Sequence, residues 1–380
     1  MAKKNAHVLG DGVAIIGAGI AGLAVAVALR QIGVSSTIYE QAPAFRRIGA
    51  AINMTPNAVK VLDGLGVGNA LREKSHTAEF RVSRTWDTGE ETSRVILGDN
   101  AKARYGVAPL MLHRADLMAV LESSVKANTI KFGKKLTTFR NYGKKIRLLF
   151  EDKTTVDAFR VIGADGVHSV VREVLFGREK PRFTGMSAYR TILPIDRAKG
   201  YDISNFIKWW GPIPESQIVT NAVNKKKELF LFASMPETSL VDESWSMSGD
   251  VERVKEYFSG YHEDIRKVVN SITKIDKTAL YDRKPLDRWS KGRVTLLGDA
   301  CHAMVPFMAQ GAAMGLEDAA ILARCVEKYP DWIEALTHYE ATRISRTSKI
   351  QYGSRGNQWL RKSGNPDWVY GFDAWTQELC

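Results

Sequence analysis

The stretch Val13-Ala14-Ile15-Ile16-Gly17-Ala18-Gly19-Ile20-Ala21-Gly22 decides the fold of this chain. Four apolar residues lead directly into three closely spaced glycines. Such a run reads as a strand buried on both faces. Leu23 to Arg30 is rich in Ala, Leu and Val, as a buried helix is, and Gly33 ends it. Ser36-Thr37-Ile38-Tyr39 then reads as a second strand, closed by Glu40 eighteen residues after Gly22. Strand, glycine turn, helix, strand and terminal acid together form a dinucleotide-binding context, which a lone G-x-G-x-x-G does not. Gly17 permits the tight turn, Gly19 lets the backbone approach a pyrophosphate, and Gly22 allows close helix–strand packing; Ala21 lies in the same turn. Free N–H groups and the helix dipole favour the anion there. Glu40 is placed to accept a ribose hydroxyl, which fits FAD or NAD rather than NADP at this site.

Beyond this unit the chain has 380 residues, 44% hydrophobic and 25% charged, an ordinary globular composition. That length holds an extensive core without disulfides or a structural metal. Lys and Arg exceed Asp and Glu by 54 − 42 = +12. A basic excess admits nucleic acid, an anionic membrane surface or an anionic small ligand. The basic residues are scattered, with short runs such as Lys225-Lys226-Lys227, and no block of five like charges marks a nucleic-acid arm. Three cysteines without a CxxC pair form neither a disulfide framework nor a metal-ligand pattern. The apolar run from Val13 is broken by glycines, and Met1 to His7 lacks a signal-peptide core. A cytoplasmic protein, bound to neither membrane nor nucleic acid, is expected, as a monomer or homodimer.

Three further segments separate FAD from NAD. They are His113-Arg114-Ala115-Asp116-Leu117, then Gly163-Ala164-Asp165-Gly166 running to Arg172, and Gly298-Asp299-Ala300-Cys301-His302 with Pro306 and Gln310-Gly311-Ala312. In this order they resemble the class A flavoprotein aromatic hydroxylases, which include salicylate and 4-hydroxybenzoate hydroxylases. The resemblance spans about residues 10 to 350. It implies that Gln41, Arg47, Arg114 and Leu136 contact FAD, with Asp165 in a segment linked to both FAD and NAD(P)H. It also implies that Asp299 binds the ribityl chain, with Gly311 and Ala312 beside the isoalloxazine. Read from the residues alone, Asp299 is equally a helix or turn cap, and Asp165-Gly166 a tight turn. Gly311 opens an Ala-rich helix whose N–H groups suit negative charge on a reduced flavin.

One nucleotide fingerprint is present, and a second dinucleotide domain has little room. The expected fold is α/β: a Rossmann-like FAD-binding domain with an inserted antiparallel β-sheet substrate domain. Residues 1–180 and 284–355 would form the FAD domain, 181–283 the substrate sheet and 356–380 a C-terminal extension. Residues 188–193, 206–210, 217–223 and 229–234 have strand character, with a polar turn at 224–227. Residues 251–275 look helical. Strand alternation sends the rings of Trp209 and Trp210 to opposite faces.

Tyr39 to Phe45, Lys208-Trp209-Trp210, Gly260-Tyr261-His262 and Trp368 to Asp373 are similar to the 6-hydroxynicotinate 3-monooxygenase branch of that family. Pocket positions that carry histidine or tyrosine in that branch fall here at Asn53, Glu215, Val219 and Phe307, after Pro306. The resemblance implies a monooxygenase acting through a flavin C4a-hydroperoxide, with NADH or NADPH and O2 as co-substrates. The ring would be electron-rich, of 6-hydroxynicotinate or hydroxy- or aminobenzoate type, its hydroxylation either plain or decarboxylative. Asn53 is expected to bond a ring substituent, and Tyr189 or Arg190 to approach a carboxylate. His302 is an acid/base candidate that reads equally as a structural histidine. The other readings are an FAD oxidase or dehydrogenase and a non-catalytic nucleotide-binding protein.

Overall fold

The structure, a computed structural model, describes residues 12–45, 50–237, 247–362 and 364–380. Val13–Ile16 lies in the middle of a six-stranded sheet, fully buried as its apolar run requires. Across that sheet the order is Ser290–Lys291, Val294–Leu296, Arg160–Gly163, Val13–Ile16, Ser36–Tyr39 and Ile130–Lys131. Every pairing is parallel except that of Ser290–Lys291 at the edge. The helix Ile20–Gln31 follows the glycine turn and packs against the helix Gly311–Lys328. Ala21 fits between Gly298 and Gly315, where an added methyl would stand 3.0 and 2.9 Å from the Ala21 Cβ. Small residues on both sides let the two helices approach closely.

An eight-stranded sheet runs Met247–Ser248, Asp276–Asp282, Arg182–Pro194, Glu228–Pro236, Gln217–Val223, Phe206–Trp210, Phe80–Thr85 and Glu91–Ile96. Lys208, Val219, Phe232, Arg190 and Asp276 stand opposite one another in register, forming one row across it. Ala188, Val219, Phe230 and Phe232 face the main core shared with the six-stranded sheet. Tyr189, Trp209, Ile218 and Leu231 face a second core with Val254, Phe258 and Ile265, on the far side. The turn at 224–227 places Asn224, Lys225 and Lys226 at positive φ, so the hairpin closes on residues that tolerate or are forced into that region.

Three features differ from the sequence expectation. The sheet takes in Phe80–Thr85 and Glu91–Ile96 from the segment assigned to the FAD domain, through a parallel pairing of Phe206–Trp210 with Phe80–Thr85. Parallel pairing needs a long crossover, so no local hairpin signal announces it. Residues 251–275 form two helices, Val251–Tyr257 and Glu263–Asn270, because Gly260 breaks the run and His262 caps the second. The helix Trp332–Gly356 reaches into the tail and stops at Asn357, which has φ +42°. Beyond it the Leu360 carbonyl accepts from Arg81 Nη1, Ser83 Oγ and Ser93 Oγ at 3.2, 3.0 and 2.9 Å. The tail is thereby fastened to the sheet. Among the described residues no helix is long and apolar enough to cross a membrane.

Candidate active site

The glycine turn is built by exclusion. A Cβ on Gly17, whose φ is +101°, would stand 2.4 Å from the Ala164 carbonyl oxygen, and one on Gly22 would stand 2.0 Å from that of Gly17. A Cβ on Gly19 would meet no protein atom within 4 Å. Gly17 and Gly22 are therefore required by the fold, while Gly19 faces space that the protein leaves open. Glu40 does not hang free beside it. Its Oε2 accepts the Ala18 N–H at 2.7 Å and its Oε1 the Ala42 N–H at 2.8 Å. The carboxylate thus ties the end of its strand to the glycine turn, and each oxygen keeps a second lone pair for a hydroxyl. Gln41 is exposed beyond it, and Leu136 is buried at the start of the strand Leu136–Asn141. Arg47 lies outside the described residues.

Asp299 begins the short helix Asp299–His302, with Oδ1 3.9 Å from where a Gly311 Cβ would lie. Among the described residues no donor reaches its carboxylate. Burial raises its pKa, opposed by the charges of His302 and Arg114. Arg114 opens the helix Arg114–Ser123; burial lowers its pKa, and the Asp299 charge raises it. A carboxylate without a donor, next to a guanidinium and the open N-terminus of an 18-residue helix, fits the hydroxylated and anionic parts of FAD. Asp165 is arranged otherwise. Its Oδ1 accepts from Ser169 Oγ at 2.5 Å and its Oδ2 from the Val171 N–H at 3.1 Å. Oδ2 thus meets the first turn of the helix Val170–Phe176 and Oδ1 holds its N-cap, Ser169, where the sequence alone offered a tight turn at Asp165-Gly166.

Behind Gly311 lies a polar network that the sequence reading missed. Gln310 Nε2 donates to Thr55 Oγ1 at 2.8 Å, and Asn57 Nδ2 donates to Gln310 Oε1 and Glu317 Oε1 at 2.9 and 2.8 Å. Arg343 bonds Glu317 at 2.6 Å and Asp318 at 2.7 Å, all three fully buried. His302 Nε2 meets Asp318 Oδ2 at 2.6 Å, while its Nδ1 has no partner among the described residues and its ring packs on Trp289. His302 is thus committed to the network and shut off from solvent, which corrects its place among the acid/base candidates. Cys301, His302 and Asp318 lie close enough to hold a metal ion, but His302 and Arg343 already occupy the Asp318 oxygens. A signal was present: Glu317-Asp318 interrupt an otherwise apolar helix, and buried acids need partners.

On the sheet side, Arg190 faces the main core. It donates to Thr278 Oγ1 at 3.1 Å and lies over the Phe232 ring. Burial, then the charge of Arg114, pushes its pKa down to about 10. Val219 stands in the same row, and Pro306 and Phe307 form the turn that precedes Gly311. Asn53, on the strand Ala51–Met54, buries an Oδ1 that has no partner among the described residues. Glu215 lies on the loop before Gln217–Val223. Tyr189 is not brought here. It packs in the far core beside Gly249 and Lys277, because neighbours in a strand face opposite ways.

A parallel α/β sheet with a glycine turn, a donor-free carboxylate and a helix N-terminus facing a second sheet define an FAD-dependent oxidoreductase. Residues 12–344 match the family described as FAD binding domain. The chain is 38% identical over 373 residues to a 6-hydroxynicotinate 3-monooxygenase of Bordetella bronchiseptica, covering 97% of this chain and 96% of that protein. It is 35% identical over 345 residues to a 3-amino-4-hydroxybenzoate 2-monooxygenase of Streptomyces cremeus, covering 90% and 86%. A salicylate hydroxylase substrate complex superposes with a TM-score of 0.82 at 25% identity, covering 96% of each chain. Klebsiella pneumoniae HpxO complexed with FAD and uric acid gives 0.82 at 25%, covering 94% and 90%. The chain belongs to this family of FAD-dependent aromatic monooxygenases, which use NAD(P)H and O2.

Proposed function

We propose that the chain is a cytoplasmic, monomeric or dimeric hydroxylase of a small electron-rich ring of 6-hydroxynicotinate or hydroxy- or aminobenzoate type. The observation that carries this reading is the Asp299 carboxylate, left without a donor among the described residues, beside Gly311 and the charge of Arg114. The reaction balances as ring C–H, O2, NAD(P)H and a proton giving ring C–OH, NAD(P)+ and water. Oxygen activation at the expense of NADH or NADPH is the chemistry FAD supplies when bound.

The protein's part is positional. Gly17, Gly19, Ala21 and Gly22 would cradle the pyrophosphate, with Glu40 on the adenosine ribose and Asp299 on the ribityl chain. Gln41, Arg47, Arg114, Leu136 and Asp165 would complete the cofactor's surroundings. Gly311 and Ala312 would turn helix N–H groups toward the ring. The two sheets would exclude water above it. Asn53, Val219, Pro306 and Phe307 would shape the substrate space, with Glu215 at its edge and Arg190 near the cofactor.

The test is NAD(P)H oxidation by the purified flavoprotein across a panel of phenols and aromatic acids, with product mass and 18O2. A gain of one labelled oxygen, with or without loss of CO2, is expected. An unlabelled oxidised product would make the chain an oxidase or dehydrogenase. FAD binding with no aromatic-stimulated oxidation would make it a non-catalytic binder. Asp299→Ala is expected to weaken FAD binding by on the order of 10-fold or more while the apoprotein keeps its melting temperature.

A further inference from the structure

The tail beyond the helix Trp332–Gly356 borders a cavity of about 510 Å³, the size of a small-ligand site. Trp359, Trp368, Arg361, Lys362, Gln358 and Asn365 line it. One residue of its wall is strained. Leu360 has φ +59°, in the left-handed region that a bulky side chain rarely enters. Arg81, Ser83 and Ser93 hold its carbonyl, and Thr92 Oγ1 donates to the next one, that of Arg361, at 2.9 Å. Strain of this kind persists where the surroundings over-determine it, and it clusters at ligand sites.

Among the described residues no carboxylate pairs with Arg361 or Lys362. A third cation, the Lys349 ammonium, lies 4.4 Å from the centre of the Trp368 ring. Asp367, next to Trp368 in the chain, is already tied to Arg104 and Tyr105 at 2.6 and 2.7 Å. A second cavity of about 570 Å³ shares Gly364 with the first and is lined by Arg94 and Arg104, but Glu91 and Asp367 pair with those. The first cavity is therefore the one with cations to offer. Indole rings stack on bases, and guanidinium and ammonium groups bind phosphate. The lining suits an aromatic base that carries phosphate.

The family's reaction consumes such a molecule. NAD(P)H is a second dinucleotide, and the single glycine turn of the chain is suited to FAD. Asp165, linked by resemblance to NAD(P)H, has both oxygens engaged by Ser169 and Val171, and a carboxylate does not attract a pyrophosphate. The cavity wall continues toward the cofactor side. Arg361 lies 5.5 Å from the centre of the Trp210 ring, and Lys208 joins that ring, at 3.6 Å, to Phe307, at 5.9 Å, on the turn before Gly311. We propose that the tail cavity binds the adenosine pyrophosphate half of NAD(P)H, with the base against Trp368 and the phosphates on Arg361 and Lys362. This rests on the NAD(P)H-dependent reading and gives the electron donor an anchor outside the glycine turn.

The test is calorimetric titration of the FAD-loaded enzyme with ADP-ribose, without aromatic substrate. Bound FAD keeps the probe out of the glycine turn. ADP-ribose is expected to bind and to compete with NAD(P)H in steady-state oxidation. Arg361→Gln combined with Lys362→Gln is expected to weaken it by on the order of 10- to 30-fold and to raise the KM for NAD(P)H in step, with kcat level. Trp368→Leu should weaken ADP-ribose by on the order of 10-fold and inorganic pyrophosphate by less than about 2-fold, since only the base stacks. Arg94→Gln, on the second cavity, is the control and should change neither. No binding to the wild-type holoenzyme, binding indifferent to the double variant, or pyrophosphate bound as tightly as ADP-ribose overturns the proposal. If the double variant loses FAD, Lys362→Gln alone decides, at an exposed position, by a loss of at least about 3-fold. An enzyme that binds ADP-ribose through Arg361 and Lys362 yet oxygenates no aromatic would refute the hydroxylase reading and leave this site standing. A working hydroxylase whose KM for NAD(P)H ignores the double variant would do the reverse.

Discussion

Gly19 and Gly22 are both glycines of one turn, but the structure asks different things of them. A methyl at Gly22 would strike the Gly17 carbonyl, whereas one at Gly19 would meet nothing of the protein. Gly22→Ala is therefore expected to destabilise the apoprotein by about 1–3 kcal/mol, read as a lower melting temperature. Gly19→Ala should melt like the wild type and lose FAD affinity by on the order of 10-fold, read by flavin fluorescence. Equal melting losses would mean that Gly19 is structural after all. The cysteines divide in a similar way. Burial pushes the Cys301 thiol well up and that of Cys325 to about 12, while Cys380 is exposed. A thiol reagent at pH 8 should label one cysteine in the folded protein and three after unfolding.

At the scale of elements, the helix Gly311–Lys328 joins the cofactor side to the core through its buried acids. Burial alone would raise the pKa of Glu317 and Asp318, but Arg343, with Arg346 and His302, outweighs it and holds both below their ordinary values. Groups depressed in the folded state stabilise it above the unfolded carboxylate pKa of about 4, and that contribution is lost as pH falls through the folded values. Arg343→Met removes one partner from each of two buried carboxylates, leaving Glu317 to Arg346 and Asn57 and Asp318 to His302 and the Gly298 N–H, and is expected to cost about 3–5 kcal/mol. The sign of the pH response then changes. Acid neutralises carboxylates that have each lost a partner, so the deficit should be smaller at pH 5 than at pH 8 in thermal melts. A deficit independent of pH would mean lost packing rather than lost charge. Of this network only the two acids were legible beforehand. Glu317 and Asp318 are visible in the sequence, but Arg343 comes more than twenty residues later and Asn57 far earlier.

For the whole molecule, the excess of +12 charges meets anionic partners: FAD, a phosphate-bearing nicotinamide and, by the function proposed above, an aromatic carboxylate. A positive field speeds capture of such ligands and is screened within about 10 Å at 0.1 M salt. The KM for NAD(P)H is expected to rise with salt while kcat stays level. A flat KM would reduce the charge to surface composition. Two buried basic residues, Arg81 and Lys208, serve the molecule differently, by holding the tail at Leu360 and Asn357.

The sequence by itself determined the cofactor half. Strand, glycine turn, helix and acid are constrained by backbone sterics within about thirty residues, and short-range sterics leave a short-range signature. It also marked four strands of the second sheet, since alternation and turns are local, but not Phe80–Thr85, Glu91–Ile96 or Asp276–Asp282. Only the tertiary structure decided which face each residue took. Tyr189 and Arg190 looked equally suited to a substrate, yet a strand can send only one of two neighbours inward, and pairing with 228–236 and 276–282 chose Arg190. The same register turned Trp209 into the second core and Lys208 and Trp210 to the other face. Register and packing arise from contacts between distant segments, and the order of residues along one strand does not contain them.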